Sequence, residues 1–139
     1  MSGVVVSADR SSGMVATVKM GNQVNLIDES GAITGEDTGP TPMDYIMSAL
    51  GSCTVITLHM YAQRKNWPLE RAEVTLEQRT LSTTESALAA GDKRTLISKT
   101  LQLTGDLTAE QIARLKDISS RCPIQKTLEA GVVVQTTLI

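Results

Sequence analysis

The chain has 139 residues, which is the size of one ordinary domain, and we therefore treat residues 1–139 as a single domain. Hydrophobic residues make up 41% of the chain and charged residues 20%, a composition that argues against disorder. A formal net charge of −2 excludes a strongly basic nucleic-acid binder. No apolar run reaches the roughly 18 residues that a membrane span needs.

Aromatic side chains are scarce: they make up 2% of the residues, and there is no phenylalanine. The core must therefore be built from aliphatic residues and methionine, and few rings are available to stack on bases. The first twenty residues lack a charged start followed by an apolar block, so no secretory signal is predicted. We expect a cytoplasmic protein whose thiols stay reduced.

The first quarter of the chain predicts strands. Val4 to Ala8 is rich in β-branched residues, and Met14 to Met20 alternates with a period of two. Gly21-Asn22 is a turn signal, after which Gln23 to Ile27 resumes the strand pattern. A hairpin or a three-stranded meander is expected.

A long helix is predicted next. Thr41 can serve as N-cap, with Pro42 at the first helical position and Asp44 reaching back as in a capping box. The helix should run to about Asn66, where Trp67-Pro68 stops it. Because this helix is apolar nearly all round, it should be buried on most sides.

One small sheet cannot cover such a helix completely, and a second subunit could. We therefore expect an obligate homodimer whose interface includes Met47, Leu50 and Ile56.

The sequence pattern of the second half of the chain predicts two strands, two helices and a closing strand. The expected elements are strands from Ala72 to Leu81 and from Arg94 to Thr104, a polar loop around Thr83 to Asp92 between them, a helix with a capping box at Thr108, a short helical piece from Ile124 to Ala130, and a strand from Val132 to Ile139. The order is ββ(β)αββα(α)β, an α+β fold.

The common nucleotide and metal motifs are missing. There is no phosphate-binding glycine loop, and the single histidine, His59, excludes a histidine-rich zinc site. His59 lies six residues after Cys53 and faces largely away from it, so a packed or solvated histidine is the simplest interpretation. Cys53 and Cys122 are 69 positions apart and form no metal-ligand pair.

The two cysteines are nevertheless the informative residues. Cys53 lies in mid-helix beside Gly51 and Ser52, whose small size leaves room for a molecule to approach the sulfur. Cys122 precedes Pro123; if Pro123 begins a helix, Cys122 is its N-cap and the helix dipole favours the thiolate. From spacing alone, two buried structural thiols are the simpler interpretation.

The segment from Gly39 to Thr54 resembles the first-cysteine helix of the OsmC/Ohr family of osmotically induced and organic-hydroperoxide-resistance proteins. The segment from Ser120 to Ile124 resembles the family's second-cysteine motif. The resemblance covers almost the whole chain. It implies an OsmC-like fold in which a long central helix is wrapped by antiparallel sheet in an intertwined homodimer.

The resemblance also implies a reaction, the thiol-dependent reduction of organic hydroperoxides and, more weakly, of hydrogen peroxide. By analogy, Cys53 is the peroxidatic thiolate that becomes a sulfenic acid, and Cys122 condenses with it to a disulfide. A dithiol, lipoyl-linked in some of the family, then reduces the enzyme. No metal, flavin, haem or other cofactor is implied.

The chain departs from the family's pattern at the group that activates the thiol. The family supplies an arginine from the N-terminal region, held by a glutamate early in the first helix. Met43 stands at that glutamate position and Asp44 follows it, while Arg10 is the only arginine before the helix. Lys19 or a later arginine is an alternative cation. These departures indicate a less characterised OsmC-like branch.

Two other function classes stay open. A hot-dog-fold thioesterase or acyl-binding domain also wraps a sheet round a long helix, and it would use Asp44 or Glu36 as base. A small-ligand binding protein would show no turnover. Loss of both thiols on adding one equivalent of cumene hydroperoxide would favour the peroxidase over both.

Overall fold

The N-terminal strands form a small antiparallel sheet. The computed structural model describes residues 3–29, 39–88 and 93–139. Strands β1 (Val4–Ser7), β2 (Val15–Met20) and β3 (Gln23–Asp28) lie in the order β1-β2-β3. A 3-10 turn, Arg10–Ser12, precedes Gly13, and Gly21 makes the turn into β3; both glycines have the positive φ that favours this residue. The predicted three-stranded meander is confirmed.

Helix α1, Pro42–Lys65, is the long helix that the sequence predicts. A capping box begins it: the Thr41 N–H donates to the Asp44 carboxylate at 3.0 Å, and the Asp44 N–H donates to the Thr41 hydroxyl at 3.2 Å. The helix ends where Asn66 takes a positive φ of 56°. The described residues fall into two compact units, and the boundary between them lies after Ile46.

The exposure of α1 corrects one part of the predicted interface. Leu50 is only 4% exposed within a single chain and is therefore not available to a second subunit. Ile56 is 57% exposed and Met60 67% exposed. An apolar surface therefore remains on α1, but Leu50 does not belong to it.

The second unit pairs a two-stranded sheet with helices. Its elements after α1 are β4 (Leu69–Thr80), α2 (Thr83–Leu88), β5 (Thr95–Gly105), α3 (Ala109–Ser119) and α4 (Pro123–Ala130). β4 and β5 are antiparallel, with Leu76 opposite Lys99 and Val74 opposite Leu101. Because side chains alternate along a strand, these four residues belong to one face of the ribbon.

Helix α2 differs from the expectation, because the polar composition of Thr83 to Asp92 predicts a loop. The Ser82 N–H donates to the Glu85 carboxylate and the Glu85 N–H donates to the Ser82 hydroxyl, both at 3.1 Å. This second capping box starts a helix of six residues. Residues 89–92 lie outside the described part of the chain, as does Glu36, one of the two bases named for the alternative thioesterase.

The core of the second unit lies between α1, α3 and the sheet. Its buried members are Leu58, Tyr61, Ala62, Leu115 and Ile118, against which Trp67, Leu69, Ala72, Leu101, Leu103 and Leu107 pack. Leu58 and Leu115 are fully buried, and each contributes about 1.5–3 kcal/mol to folding by leaving water. None of the helices in the described ranges is long and apolar enough to cross a membrane.

The closing strand predicted from Val132 to Ile139 is absent from this chain. Residues 131–139 have no regular secondary structure, and Val133 and Leu138 are 92% and 96% exposed. A strand needs a neighbouring edge to receive its backbone hydrogen bonds. The described strands pair only within the sheets β1-β2-β3 and β4-β5, and neither includes these residues. The mixed α+β class is otherwise confirmed.

Candidate functional site

Cys122 lies at the N-terminus of α4, as the sequence predicts. Its backbone is extended, with φ −66° and ψ 141°, and Pro123 is the first helical residue. The Cys122 Sγ accepts a hydrogen bond from the Gln125 N–H at 3.4 Å. The side chain is fully buried. The sulfur thus satisfies one of the backbone N–H groups that a helix leaves unpaired at its start.

The other cysteine, Cys53, precedes on α1 a threonine that contacts Cys122. Cys53 is half-buried, and the next residue, Thr54, is fully buried. The Thr54 Oγ1 lies 3.8 Å from the Cys122 Sγ. The structure thus brings Cys122 to the helical turn that carries Cys53, which spacing alone could not establish. Both cysteines are free thiols.

A lysine from the sheet completes this group. The Lys99 Nζ, on β5, donates to the Thr54 Oγ1 at 3.1 Å and to the Ser119 carbonyl oxygen at 2.8 Å. Burial lowers the pKa of Lys99, while the nearby acidic groups of Cys122, Glu129 and Cys53 oppose that shift. The ammonium of Lys99 therefore bonds to the same Thr54 hydroxyl oxygen that contacts the Cys122 sulfur.

Lys99 is not among the predicted cations, which were Arg10, Lys19 or a later arginine. A signal was nevertheless present. Lys99 stands between Ile97 and Leu101 in the alternating pattern of β5, at a position that the period of two assigns to the inward face. A charged residue at such a position requires a polar partner inside the fold.

Gly51 has a packing explanation that differs from the one expected. It is buried, and a Cβ at this position would lie 2.8 Å from the Leu76 Cδ1 and 3.4 Å from the Val74 Cγ1. Gly51 therefore lets α1 approach β4 closely. Ser52 is exposed, and its hydroxyl donates to the Ala49 carbonyl oxygen.

The structure places the other four described residues named from the sequence on α1 or in the N-terminal unit. Arg10 and Lys19 are exposed and belong to the N-terminal unit, as does Asp44, whose carboxylate caps α1. His59 is half-buried on α1. Asp44 is thus explained by helix capping.

Gln125 holds a buried polar atom that finds no hydrogen-bond partner within the described ranges. Its Oε1 is enclosed by protein and accepts no hydrogen bond from the described residues. Leaving a buried acceptor unpaired costs about 1–3 kcal/mol. The same residue donates its backbone N–H to Cys122, so this unpaired oxygen belongs to the first turn of the helix that the cysteine caps.

An open groove adjoins Lys99. Its volume is about 360 Å³, and it is lined by Lys99, Thr100, Leu101, Leu103, Ile112 and Lys116. Its walls are mostly aliphatic, with two ammonium groups. In the described ranges no three histidine, cysteine, aspartate or glutamate side chains are grouped so that they could hold a metal ion.

Comparisons with known proteins agree on one family. The sequence profile of the OsmC-like protein family matches residues 35–137. An OsmC-like protein from Mycoplasma pneumoniae has a similar structure, with a TM-score of 0.71 at 17% identity over 93% of this chain and 87% of that one. The organic hydroperoxide resistance protein OhrB of Bacillus subtilis gives 0.60 at 19% identity over 91% and 88%.

A third structure, an OsmC-like protein of unknown function from Vibrio cholerae, gives a TM-score of 0.67 at 14% identity over 91% of this chain and 92% of that one. At such identities, these likenesses concern the fold. A search of curated protein sequences finds no match.

Proposed function

The chain belongs to the OsmC-like protein family, and from that membership we propose that it is a thiol-dependent peroxidase that reduces organic hydroperoxides, and hydrogen peroxide more weakly, in oxidative or osmotic stress. The observation that carries the proposal is the contact between Thr54 and Cys122, which sets the second thiol beside the turn that bears Cys53. A structural pair of thiols would not require a cation, yet the Lys99 ammonium bonds to the Thr54 hydroxyl that contacts Cys122.

Cys53 performs the first step, because it is the more accessible of the two thiols. Its thiolate attacks the outer oxygen of the hydroperoxide, and the O–O bond breaks. The alkoxide leaves and takes up a proton to become an alcohol. Cys53 is oxidised to a sulfenic acid in the same step.

Cys122 completes the oxidation. Its sulfur attacks the Cys53 sulfenic acid, water is lost, and a Cys53–Cys122 disulfide forms. A dithiol, such as a lipoyl group, then reduces this disulfide by thiol exchange. Since recycling by dithiols suits a reducing compartment, we place the protein in the cytoplasm.

The apolar groove beside Lys99 supports the preference for organic substrates. Its aliphatic walls, which include Leu101, Leu103 and Ile112, can receive the hydrocarbon part of a hydroperoxide. Hydrogen peroxide has no such part and gains nothing from these walls. This difference accounts for the order of substrates that we propose.

The working form that we propose is a homodimer. Ile56 and Met60 of α1 leave most of their apolar surface in water, as do the valines of residues 132–134. Contiguous exposed apolar surface marks an interaction site, and a second copy of the chain would cover it.

The test measures peroxide consumption and thiol content together. With one equivalent of cumene hydroperoxide, the native protein should lose both thiols without intermolecular crosslinks and release one equivalent of alcohol. Cys53→Ser should consume no peroxide, because a serine hydroxyl does not ionise at neutral pH. Ser52→Ala, at the exposed neighbouring position, is the matched control and should retain the native rate. Peroxide reduction by Cys53→Ser at the native rate would refute the proposal.

A further inference from the structure

Lys99 is a half-buried cation that forms no salt bridge with a carboxylate of the described residues. Its Nζ donates to two neutral oxygens, and none of the ion pairs found among the described residues includes it. Removing an ammonium from water is costly unless an anion compensates. One of those two oxygens, the Thr54 Oγ1, lies 3.8 Å from the Cys122 Sγ.

Thr54 connects the two. A threonine hydroxyl has one proton and two lone pairs, whereas an ammonium can only donate. Lys99 therefore occupies one lone pair of the Thr54 Oγ1, and the Thr54 proton goes to the Leu50 carbonyl oxygen at 2.8 Å. The remaining lone pair can accept the proton of the Cys122 thiol. When Cys122 is ionised, the Thr54 hydroxyl can turn and donate to the sulfur instead.

We propose that Lys99 is the positioning residue of the cysteine pair, acting through Thr54 and by its charge to stabilise the thiolate of Cys122. This assigns the cation to the second cysteine of the pair. This role of Lys99 rests on the proposed peroxidase function only for the reaction steps in which the Cys122 thiolate takes part.

Those steps are the making and breaking of the disulfide. In the first, the Cys122 thiolate attacks the sulfur of the Cys53 sulfenic acid; the S–S bond forms, the S–O bond breaks, and hydroxide leaves and takes a proton from solvent. In the second, a thiolate of the reducing dithiol attacks Cys53. The S–S bond breaks, and its electron pair goes to Cys122, which leaves as a thiolate. The reductant's second thiol then closes its own disulfide and releases Cys53.

The charges around Lys99 are consistent with this role. Cys53 on α1, Cys122 and Glu129 on α4 are the acidic groups whose charges reach it. Lys116 of α3 lines the same groove and adds a second positive charge. The ammonium thus faces thiols and one glutamate, with only the thiols taking part in the reaction.

The experiment titrates each thiolate separately by its absorbance at 240 nm, with no peroxide present. Cys53→Ser leaves Cys122 as the only thiol, and Cys122→Ser leaves Cys53. In the Cys53→Ser background, Lys99→Met should raise the pH midpoint of the thiolate by about one unit. Lys99→Arg keeps the positive charge and should raise the midpoint by at most half as much as Lys99→Met. In the Cys122→Ser background, where Cys53 is the thiol titrated, Lys99→Met should raise the midpoint less.

Two results would overturn the proposal: an unchanged midpoint in folded Lys99→Met protein, or equal shifts in the two backgrounds. If Lys99→Met does not fold, Thr54→Val and Thr54→Ser replace it. Thr54→Val removes the hydroxyl and should raise the pH midpoint of the Cys122 thiolate, whereas Thr54→Ser keeps the hydroxyl and should leave the midpoint unchanged. Equal midpoints in the two variants would overturn the proposed action of Lys99 through Thr54. Because no peroxide enters the titration, a failure here is distinct from a failure of the peroxidase proposal.

Discussion

The sulfur of Cys122 lies 3.8 Å from the hydroxyl oxygen of Thr54, the residue that follows Cys53 on α1. Sixty-eight positions of sequence separate these two contacting residues. The contact joins the start of a short helix to the middle of a long one, and each of these elements positions one thiol.

Replacement of the second cysteine should separate the two chemical steps. We expect Cys122→Ser to release one equivalent of alcohol per chain and then stall, with Cys53 held as a sulfenic acid or driven to the sulfinic acid by excess peroxide. A sulfenate-specific probe and mass spectrometry measure this. Thr127→Ser, at an exposed position on the same helix, is the control and should turn over normally. Native turnover by Cys122→Ser would mean that the external thiol reduces Cys53 directly.

A single charge on the exposed face of α1 should disrupt the dimer. The native protein should sediment at micromolar concentration as a particle of about twice 14.9 kDa. Ile56→Asp should give monomers or aggregates, because a carboxylate buried in an apolar interface is costly. Gln63→Glu adds the same charge at an exposed polar position of the helix and should leave the dimer intact. A folded native monomer would contradict the prediction.

The pair formed by Arg79 and Glu85 predicts a loss of stability in acid. The hydrogen bonds from Arg79, followed by those from Ser82, lower the pKa of Glu85 from 4.5 to about 2. A lowered pKa stabilises the fold above pH 4.5, and this contribution is lost as the pH falls toward 2. The melting temperature of Glu85→Gln should therefore lie below that of the native protein at neutral pH and approach it at pH 2.

Salt should reduce the difference in melting temperature between Glu85→Gln and the native protein, because the ion pair of Arg79 and Glu85 is exposed to solvent. Glu77→Gln, on the same strand as Arg79, is the control and should show no comparable dependence on pH. A constant difference between Glu85→Gln and the native protein down to pH 2 would refute this assignment.

The unpaired oxygen of Gln125 predicts a stabilising substitution. Gln125→Met removes a buried acceptor while keeping a side chain of similar length, and it should raise the free energy of unfolding by about 1 kcal/mol. Gln111→Met is the matched comparison. Its Oε1 accepts the Thr108 N–H at 2.9 Å, so this substitution should destabilise by about 0.5–2 kcal/mol. Urea denaturation measures both, and equal effects would contradict the prediction.

Local chemistry is what the sequence predicts well in this protein. The capping boxes at Thr41 and Thr108 bond as their spacing predicts, and Cys122 caps the helix that Pro123 begins. The box at Ser82 carries the same signal, but the polar residues around it favoured a loop. Capping depends on side chains three residues apart, which a sequence displays directly.

Contacts between distant elements could not be predicted in the same way. Lys99 reaches Thr54 across 45 positions, and no spacing rule relates a strand residue to a helix residue at that distance. Gly51 similarly reflects the closeness of α1 to Leu76. The sequence therefore predicted the two cysteines through resemblance, but it did not predict the lysine beside them.

The exposed valines that follow α4 affect how chains behave before they assemble. Residues 132–134 are three consecutive valines, and they are exposed to water and pair with none of the strands that the structure describes. Exposed and unpaired segments of β-branched residues can pair with the same segment of other copies. Such a segment therefore favours aggregation when chains accumulate faster than they form dimers. If a second copy covers this segment, the stability of the folded chain depends on protein concentration. Dilution then lowers that stability, and the concentration of the protein in the cell helps to set the lifetime of each chain.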